Sequence, residues 1–514
     1  MSVTVFLQRA LAPAALTWLA LNLYLIHTSG LPLSTDELQY WLWSETLAWG
    51  YYSKPPGIAF AMAQWRLFDP QAEYLRALPQ LLLALACATV YPLAREAGLA
   101  AGRAALAALL MACIPFVAFA QWFATTDALL LLFWNLSLLA AWLALHRAHP
   151  VYWVFLGLVG ALGMLSKHFM PFFLVGLLGF IAWEKKLDRT VGKGLALATL
   201  VAGVVLAPHL VWLFSHPDTT LAHLADLQGA RGKSDAVLGA AWKRGLEFAL
   251  AQCIGIGPLL IPLGILASRR AFQQRPAEPR NPEVETSPDL PQARSGRIAS
   301  PFDRWLLAQS LPVLALFVIQ ASWKQAYANW AFPAAFTLGL WLVLVLLRNA
   351  AWSSLAAGLM TNLLLAGFIN HGASLALRTD SAAWVDRIDP LHRQRGWDRW
   401  IDELKALSKP EHIAWAVRDR DSAARIRHAF PEDPLVYLST PDAPKHHYAL
   451  RYAPRSPSQQ GDRRKLCIWI VERAATSVPD AGPPPPTLIA QVTRSSLGGT
   501  REYWSVREES CASR

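Results

Sequence analysis

Stretches of about 20 apolar residues, each long enough to cross a bilayer as a helix, recur along this chain from Leu11 to Gly372. Hydrocarbon supplies no hydrogen-bond partners, so such stretches fold as helices that satisfy their own backbone. With 54% hydrophobic and 16% charged residues, the chain has too little charge to cover a water-soluble surface, and lipid must solvate much of it. No short period repeats, so a solenoid is not indicated. The 23 tryptophans suit a bilayer protein, because indole settles where hydrocarbon meets headgroup.

The formal charge of +11 would suggest nucleic acid on a soluble chain. Here Lys and Arg gather in the connections 95–103, 146–149, 184–193, 268–304 and at Arg348, which alternate along the hydropathy map. The positive-inside rule places those connections in the cytoplasm and makes a nucleic-acid partner unnecessary. Working outward, spans are expected at 11–29, 74–94, 104–120, 128–145, 151–165, 171–183, 194–214, 245–267, 305–321, 331–347 and 352–372. That is about eleven spans, with a cytoplasmic amino terminus and an external carboxyl terminus. The first segment lacks a small-residue cleavage site and reads as a span.

Residues 1–372 thus form a helical membrane domain and 373–514 a small soluble α/β domain. Ile413–Val417, Leu435–Leu438 and Leu466–Val471 read as strands and Asp421–Phe430 as a helix. Residues 268–303, rich in Pro, Arg, Glu and Ser, read as a disordered cytoplasmic linker. Cys467 and Cys511 fall in the external domain, where they either pair as a disulfide or stay as free thiols.

The external loop 30–56 carries the densest chemistry. Leu38, Trp41, Leu42 and Ala48 share one side of a helix, as in an amphipathic segment lying at the membrane surface. Ser34 followed by Glu37 is a capping box, which gives Glu37 a structural duty. Asp36 has no such duty: it either compensates the helix dipole or accepts a proton from an attacking hydroxyl. Lys54 precedes Pro55-Pro56 and either snorkels to headgroups or pairs with a phosphate at the bilayer surface. Asp127 follows Thr125-Thr126 at the start of a span, as a cap or as a functional carboxylate at depth. Lys167 and His168 interrupt apolar sequence beside Pro171 and are candidates to face a cavity. Tyr327 and Asn329 could line the same cavity or anchor the interface.

A Gly-rich phosphate loop, a dinucleotide fingerprint, HExxH and paired CxxC are all missing from the sequence, which argues against nucleotide-driven pumping and a thiolate zinc site.

In order, the runs Asp36-Glu37-Leu38-Gln39-Tyr40-Trp41-Leu42-Trp43, Trp49-Gly50-Tyr51-Tyr52-Ser53-Lys54-Pro55-Pro56, Thr125-Thr126-Asp127, Leu165-Ser166-Lys167 and Ala328-Asn329-Trp330 resemble bacterial glycosyltransferase family 39. The resemblance covers the spans to about Gly372 and rests on the agreement of several motifs. It implies a GT-C bundle with external juxtamembrane helices, in the inner membrane, that moves a sugar from a polyprenyl-phosphate donor to an envelope glycolipid, glycan or protein with inversion. It further implies that Asp36 is the acid/base candidate and that Lys54, with Lys167, binds the donor phosphate. Glu37, Tyr40, Tyr51, Tyr52, Asp127, His168, Tyr327 and Asn329 would line the substrate cavity. The lysines can neutralise the phosphate, so no cofactor is expected, although a divalent ion would be compatible. The region after Gly372 is expected to add little beyond a small periplasmic module. A transporter of lipid-linked sugars would share the spans and buried charges but should show inverted repeats and helices broken at the midplane. A silent scaffold would tolerate loss of Asp36 or Lys54.

Overall fold

The computed structural model describes residues 3–147, 149–217, 241–273, 300–324, 326–376, 385, 389–407, 413–438, 467–473, 488–495 and 501–510. The helices begin with α1 (Val3–Thr28), α2 (Thr35–Trp43), α3 (Gly57–Trp65), α4 (Ala77–Ala88), α5 (Val90–Glu96) and α6 (Ala101–Ala112). They continue with α7 (Pro115–Ala120), α8 (Thr126–Arg147), α9 (Pro150–Ser166), α10 (Pro171–Trp183) and α11 (Arg189–Ser215). Next come α12 (Ala241–Ile256), α13 (Leu260–Gln273), α14 (Pro301–Trp323), α15 (Phe332–Arg348) and α16 (Trp352–Ala376). The C-terminal region adds α17 (Trp397–Lys405) and α18 (Arg420–Ala429).

Among the described residues, seven helical segments are long and apolar enough to cross a membrane: α1, α4–α5, α8, α11, α14, α15 with the turn before it, and α16. The expected span 245–267 is instead the pair α12–α13, bent by 77°. Gly257, at φ 120°, supplies the break, a conformation that costs glycine least. The remaining expected spans are the shorter apolar helices α6, α9 and α10. The proposed linker is shorter than expected at both ends, because α13 runs on to Gln273 and α14 starts at Pro301. Ser300 and Asp303 cap α14 reciprocally, which explains that start; the stretch between lies outside the described residues.

The basic connections collect at one end of the bundle and are tied by ion pairs. Arg304 donates to Glu184 at 2.5 Å, and Arg348 to Asp303 at 2.6 Å and to the Ala97 carbonyl at 3.1 Å. Arg147 pairs with Glu96, which also accepts from the Trp142 indole at 3.2 Å. Five helices are thereby fixed relative to one another at that end.

Among the described residues the C-terminal domain forms a five-stranded sheet of order β2-β1-β3-β5-β4, comprising β1 (Ile413–Val417), β2 (Leu435–Tyr437), β3 (Cys467–Arg473), β4 (Leu488–Ser495) and β5 (Arg501–Ser510). β1 pairs in parallel with β2 and β3, whereas β3–β5 and β5–β4 are antiparallel. The three expected strands and the helix are all present. Cys511 lies outside the described residues, and the choice between a disulfide with Cys467 and two free thiols falls there with it.

α2 is not an amphipathic helix on a lipid surface. It ends at Trp43, before Ala48, and Glu37 to Trp43 are all buried. Leu38 and Leu42 enter the core of the C-terminal domain beside Trp397, Trp400 and Ile426. Tyr40, Trp41 and Trp43 pack instead with Ile58, Met62 and Leu75. Covered on two sides, α2 joins the membrane bundle to the C-terminal domain. Where α3 starts, Gly57 presses on α9: an added Cβ would lie 2.6 Å from the Leu165 carbonyl oxygen and 3.1 Å from Ser166 Cα. Gly57→Val is therefore expected to destabilise the protein by about 1–3 kcal/mol through overpacking, seen as a lower melting temperature in detergent.

Candidate active site

Asp36 stands in the first turn of α2, held in place by the cap beneath it. Ser34 Oγ accepts from the Glu37 amide at 3.2 Å, and Glu37 Oε2 accepts from the Ser34 amide at 2.7 Å. Glu37 also accepts from the Ala124 amide at 3.0 Å and lies 3.9 Å from Arg76, fully buried. Arg76 in turn donates to the carbonyls of Leu31 at 2.6 Å, Pro32 at 2.8 Å and Trp122 at 3.0 Å. Glu37 thus fixes the loop before α2 and faces away from the cavity, against the expectation of a lining role.

Lys54 returns towards Asp36 because the intervening loop folds back on the end of α2. The Tyr51 ring stacks on Trp43 with centroids 4.4 Å apart. Its hydroxyl donates to the Trp43 carbonyl at 3.1 Å and accepts from the Ala48 amide at 3.1 Å. The Tyr51 amide donates to the Lys54 carbonyl at 3.1 Å, closing the turn. His209 of α11, within 2.5 Å of the Trp49 carbonyl, ties the loop to the bundle.

A second cluster meets the first from below. Asp127, in the first turn of α8, accepts from Lys167 Nζ at 2.5 Å and from Asn329 Nδ2 at 2.9 Å. Lys167 is the residue at which α9 stops. Asp36, Asp127, Asn329 and Tyr327 all line one cavity of about 580 Å³. Its walls are mostly apolar, from Phe116, Phe119 and Phe123 around α7, Ile254 and Gly255 of α12, and Phe332. Pro390 and Gln394 of the C-terminal region complete it. A separate hollow of about 430 Å³ lies between Leu38 and α17 and does not include Asp36.

The electrostatics bind the two clusters together. Burial alone would raise the Asp36 carboxyl, but Arg420, with Lys54 and Lys167, holds it below the ordinary carboxylate range. Burial and the charge of Lys167 push the Lys54 ammonium down, while Asp36 and Asp127 oppose this and Arg420 adds to it. Burial, then the charge of Asp36, hold the Tyr40 phenol well above its usual range, so Tyr40 is a proton donor at neutral pH. Among the described residues Lys54 makes no ion pair or hydrogen bond through its ammonium, which leaves it available to an incoming anion. Two carboxylates therefore face three cations, an environment that favours an anionic ligand with an apolar body.

Arg420 is the residue that sequence reasoning missed. Its guanidinium donates to Asp36 and, at 2.8 Å, to Gln39 Oε1, across 384 and 381 positions of sequence respectively. Nothing local to Arg420 signals that partnership. Other expected residues are placed away from the cavity wall, as Lys54 and Lys167 are. Tyr51 is used in the turn, Tyr52 is buried without lining the cavity, and His168 is exposed with its ring over His209 at 5.8 Å. Tyr40 sits beside Asp36 rather than on the cavity wall. Among the described residues no three His, Cys, Asp or Glu side chains gather into a metal-holding group.

Comparison with known proteins supplies independent observations. Residues 53–212 match the family model described as dolichyl-phosphate-mannose-protein mannosyltransferase. The chain is 31% identical over 313 residues to the lipid A galacturonosyltransferase RgtD of Rhizobium johnstonii, a match covering 60% of each chain. It is 30% identical over 175 residues to the undecaprenyl phosphate-alpha-4-amino-4-deoxy-L-arabinose arabinosyl transferase of Pseudomonas aeruginosa, covering 33% of this chain and 32% of that one. The chain thus matches only part of the length of these relatives. Its fold is that of ArnT from Cupriavidus metallidurans bound to undecaprenyl phosphate, with TM-score 0.60 at 14% identity and 98% of both chains covered. The apo form of that protein gives TM-score 0.57 at 13% identity, covering 96% of this chain and 98% of that one.

Glu37→Ala would leave Arg76 without its buried counter-ion and two amides without acceptors. The expected cost is about 3–5 kcal/mol, measurable as a fall in melting temperature and in the yield of monodisperse protein.

Proposed function

We propose that this chain is an ArnT-like GT-C glycosyltransferase and that it moves a sugar from an undecaprenyl-phosphate-type donor to an envelope glycolipid of the lipid A class, on the external face of the inner membrane; its likeness to the relatives above supports this. The observation that carries the reading is that Asp36 and Asp127 line one mostly apolar cavity while Arg420, Lys54 and Lys167, which do not themselves line it, act on those carboxylates from beside it. That cavity suits a lipid whose head is a sugar phosphate. The names of the relatives support the donor and acceptor classes. The basic connections at the opposite end of the bundle support the sidedness through the positive-inside rule.

The chemistry follows from the charges. Outside the cytoplasm the sugar must arrive already activated, and its bond to a lipid phosphate provides that. The acceptor hydroxyl oxygen attacks the anomeric carbon from the face opposite the phosphate, giving inversion. The carbon–oxygen bond to phosphate breaks and its electron pair leaves with the phosphate. Asp36 takes the hydroxyl proton. The donor phosphodiester carries one negative charge and the departing monoester gains a second. In this reading Lys54 and Lys167 oppose that growing charge, an effect stronger at a dry site than in water. Asp127 and Asn329 hold Lys167 in place. In this reading the lysines do the neutralising and no metal is required.

Asp36→Asn is expected to abolish transfer while the protein inserts normally. The check is the glycolipid mass profile of a deletion strain complemented with the variant: a restored mass increment sinks the reading, and the missing increment in the deletion strain identifies the sugar. Lys54 adds a pH signature. Its ammonium is held below the ordinary lysine range, so as pH rises its charge is lost earlier than that of a free lysine. Binding of undecaprenyl phosphate to purified protein should weaken at an alkaline pH where a free lysine is still charged. Lys54→Arg should remove that loss and Lys54→Ala should weaken binding about tenfold or more at neutral pH.

A further inference from the structure

We infer that Arg420 is a positioning residue of the active site, through which the C-terminal domain completes the catalytic machinery by holding Asp36 oriented beside the cavity. The inference rests on the assignment of Asp36 made above. Its basis is geometric. α18 lies across α2 and is fastened to it at several points. Thr35 pairs with Asp421, Arg425 donates to the Leu33 carbonyl at 2.9 Å, and Arg427 lies 3.8 Å from Glu45. Asp419 caps α18 by accepting from the Ser422 amide at 2.8 Å, which fixes the first turn where Arg420 stands. Arg425 is further held over the Trp397 ring at 4.1 Å. These contacts would dock the domain without Arg420. Arg420 instead spends its fork on the carboxylate of Asp36 and on Gln39, one α-helical turn further along α2. Engaging Asp36 and Gln39 together fixes the direction of the carboxylate, which a single point charge would not do.

The groups facing Asp36 come from every side. Tyr40 and Gln39 stand on its own helix, Lys54 on the following loop, Lys167 at the end of α9 and Arg420 on α18, while Asp127 shares the cavity. Burial works against the Asp36 anion, and Arg420 is the largest influence opposing it. Without Arg420 the balance moves towards the protonated acid. A protonated Asp36 cannot accept the hydroxyl proton. Transfer should then fail first at low pH and recover as pH rises, since a carboxylate released from Arg420 is also the stronger base.

The experiment compares wild type, Arg420→Ala, Arg420→Lys and Arg427→Ala. Transfer is measured in membranes of the complemented deletion strain, with their own donor and acceptor, from about pH 5 to about pH 9. Arg420→Ala should shift the acid limb upward by about one unit or more, a roughly tenfold loss at the acidic end. Arg420→Lys should recover part of that shift, and Arg427→Ala, which removes only a docking contact, should leave the limb unmoved. If Arg420→Ala does not fold, the Arg420→Lys profile decides alone. An unchanged acid limb overturns the inference, as does faster transfer at every pH, which would make Arg420 a brake. Asp36→Asn, measured alongside, separates the two claims: activity in that variant sinks the functional reading itself, whereas an inactive Asp36→Asn with unmoved Arg420 profiles sinks only the role of Arg420.

Discussion

A carboxylate withdrawn from bulk water keeps its charge only beside cations, and this constraint organises the site. Asp36 is half-buried at the edge of an apolar cavity, where burial favours the neutral acid. Arg420, Lys54 and Lys167 reverse that preference. Each cation reaches Asp36 from a different element, so the charge state of one side chain depends on the packing of α2, α3, α9 and α18 together. The turn built by Tyr51, the Gly57 contact with α9 and the Glu37–Arg76 staple all serve to hold those elements in register.

Much of this was legible in the sequence because its signals are local. Bilayer-length apolar runs, Pro at helix starts, the Ser34–Glu37 box and alternating strand patterns each act within a few residues. The motif order also identified Asp36, Lys54, Asp127, Lys167 and Asn329, which the fold does bring together. Arg420 was not legible, because an ion pair across 384 positions leaves no mark on either neighbourhood. The same limit explains α2. Its apolar side looked suited to lipid, and only the tertiary fold shows that the C-terminal domain covers it. Tyr51 and His168 are engaged in a turn and a ring contact, because aromatic and imidazole groups serve these as readily as ligands.

The bent pair α12–α13 is the feature that a lipid-sugar transporter would also use. Just before its break at Gly257, α12 contributes Ile254 and Gly255 to the cavity wall. The charged groups, however, cluster at the α2 end rather than around the break, which is where a carrier would coordinate its cargo. The bend therefore shapes the apolar part of the cavity, while recognition of charge belongs to the segment between α1 and α3 and its partners.

The span of chain separating Asp36 from Arg420 also has a temporal meaning. A ribosome delivers the acidic residue early and the guanidinium only after every membrane helix has been made. During that interval the nascent bundle holds a carboxylate without its principal counter-ion. The arrangement around Asp36 is consequently completed only once the C-terminal sheet domain has docked against α2.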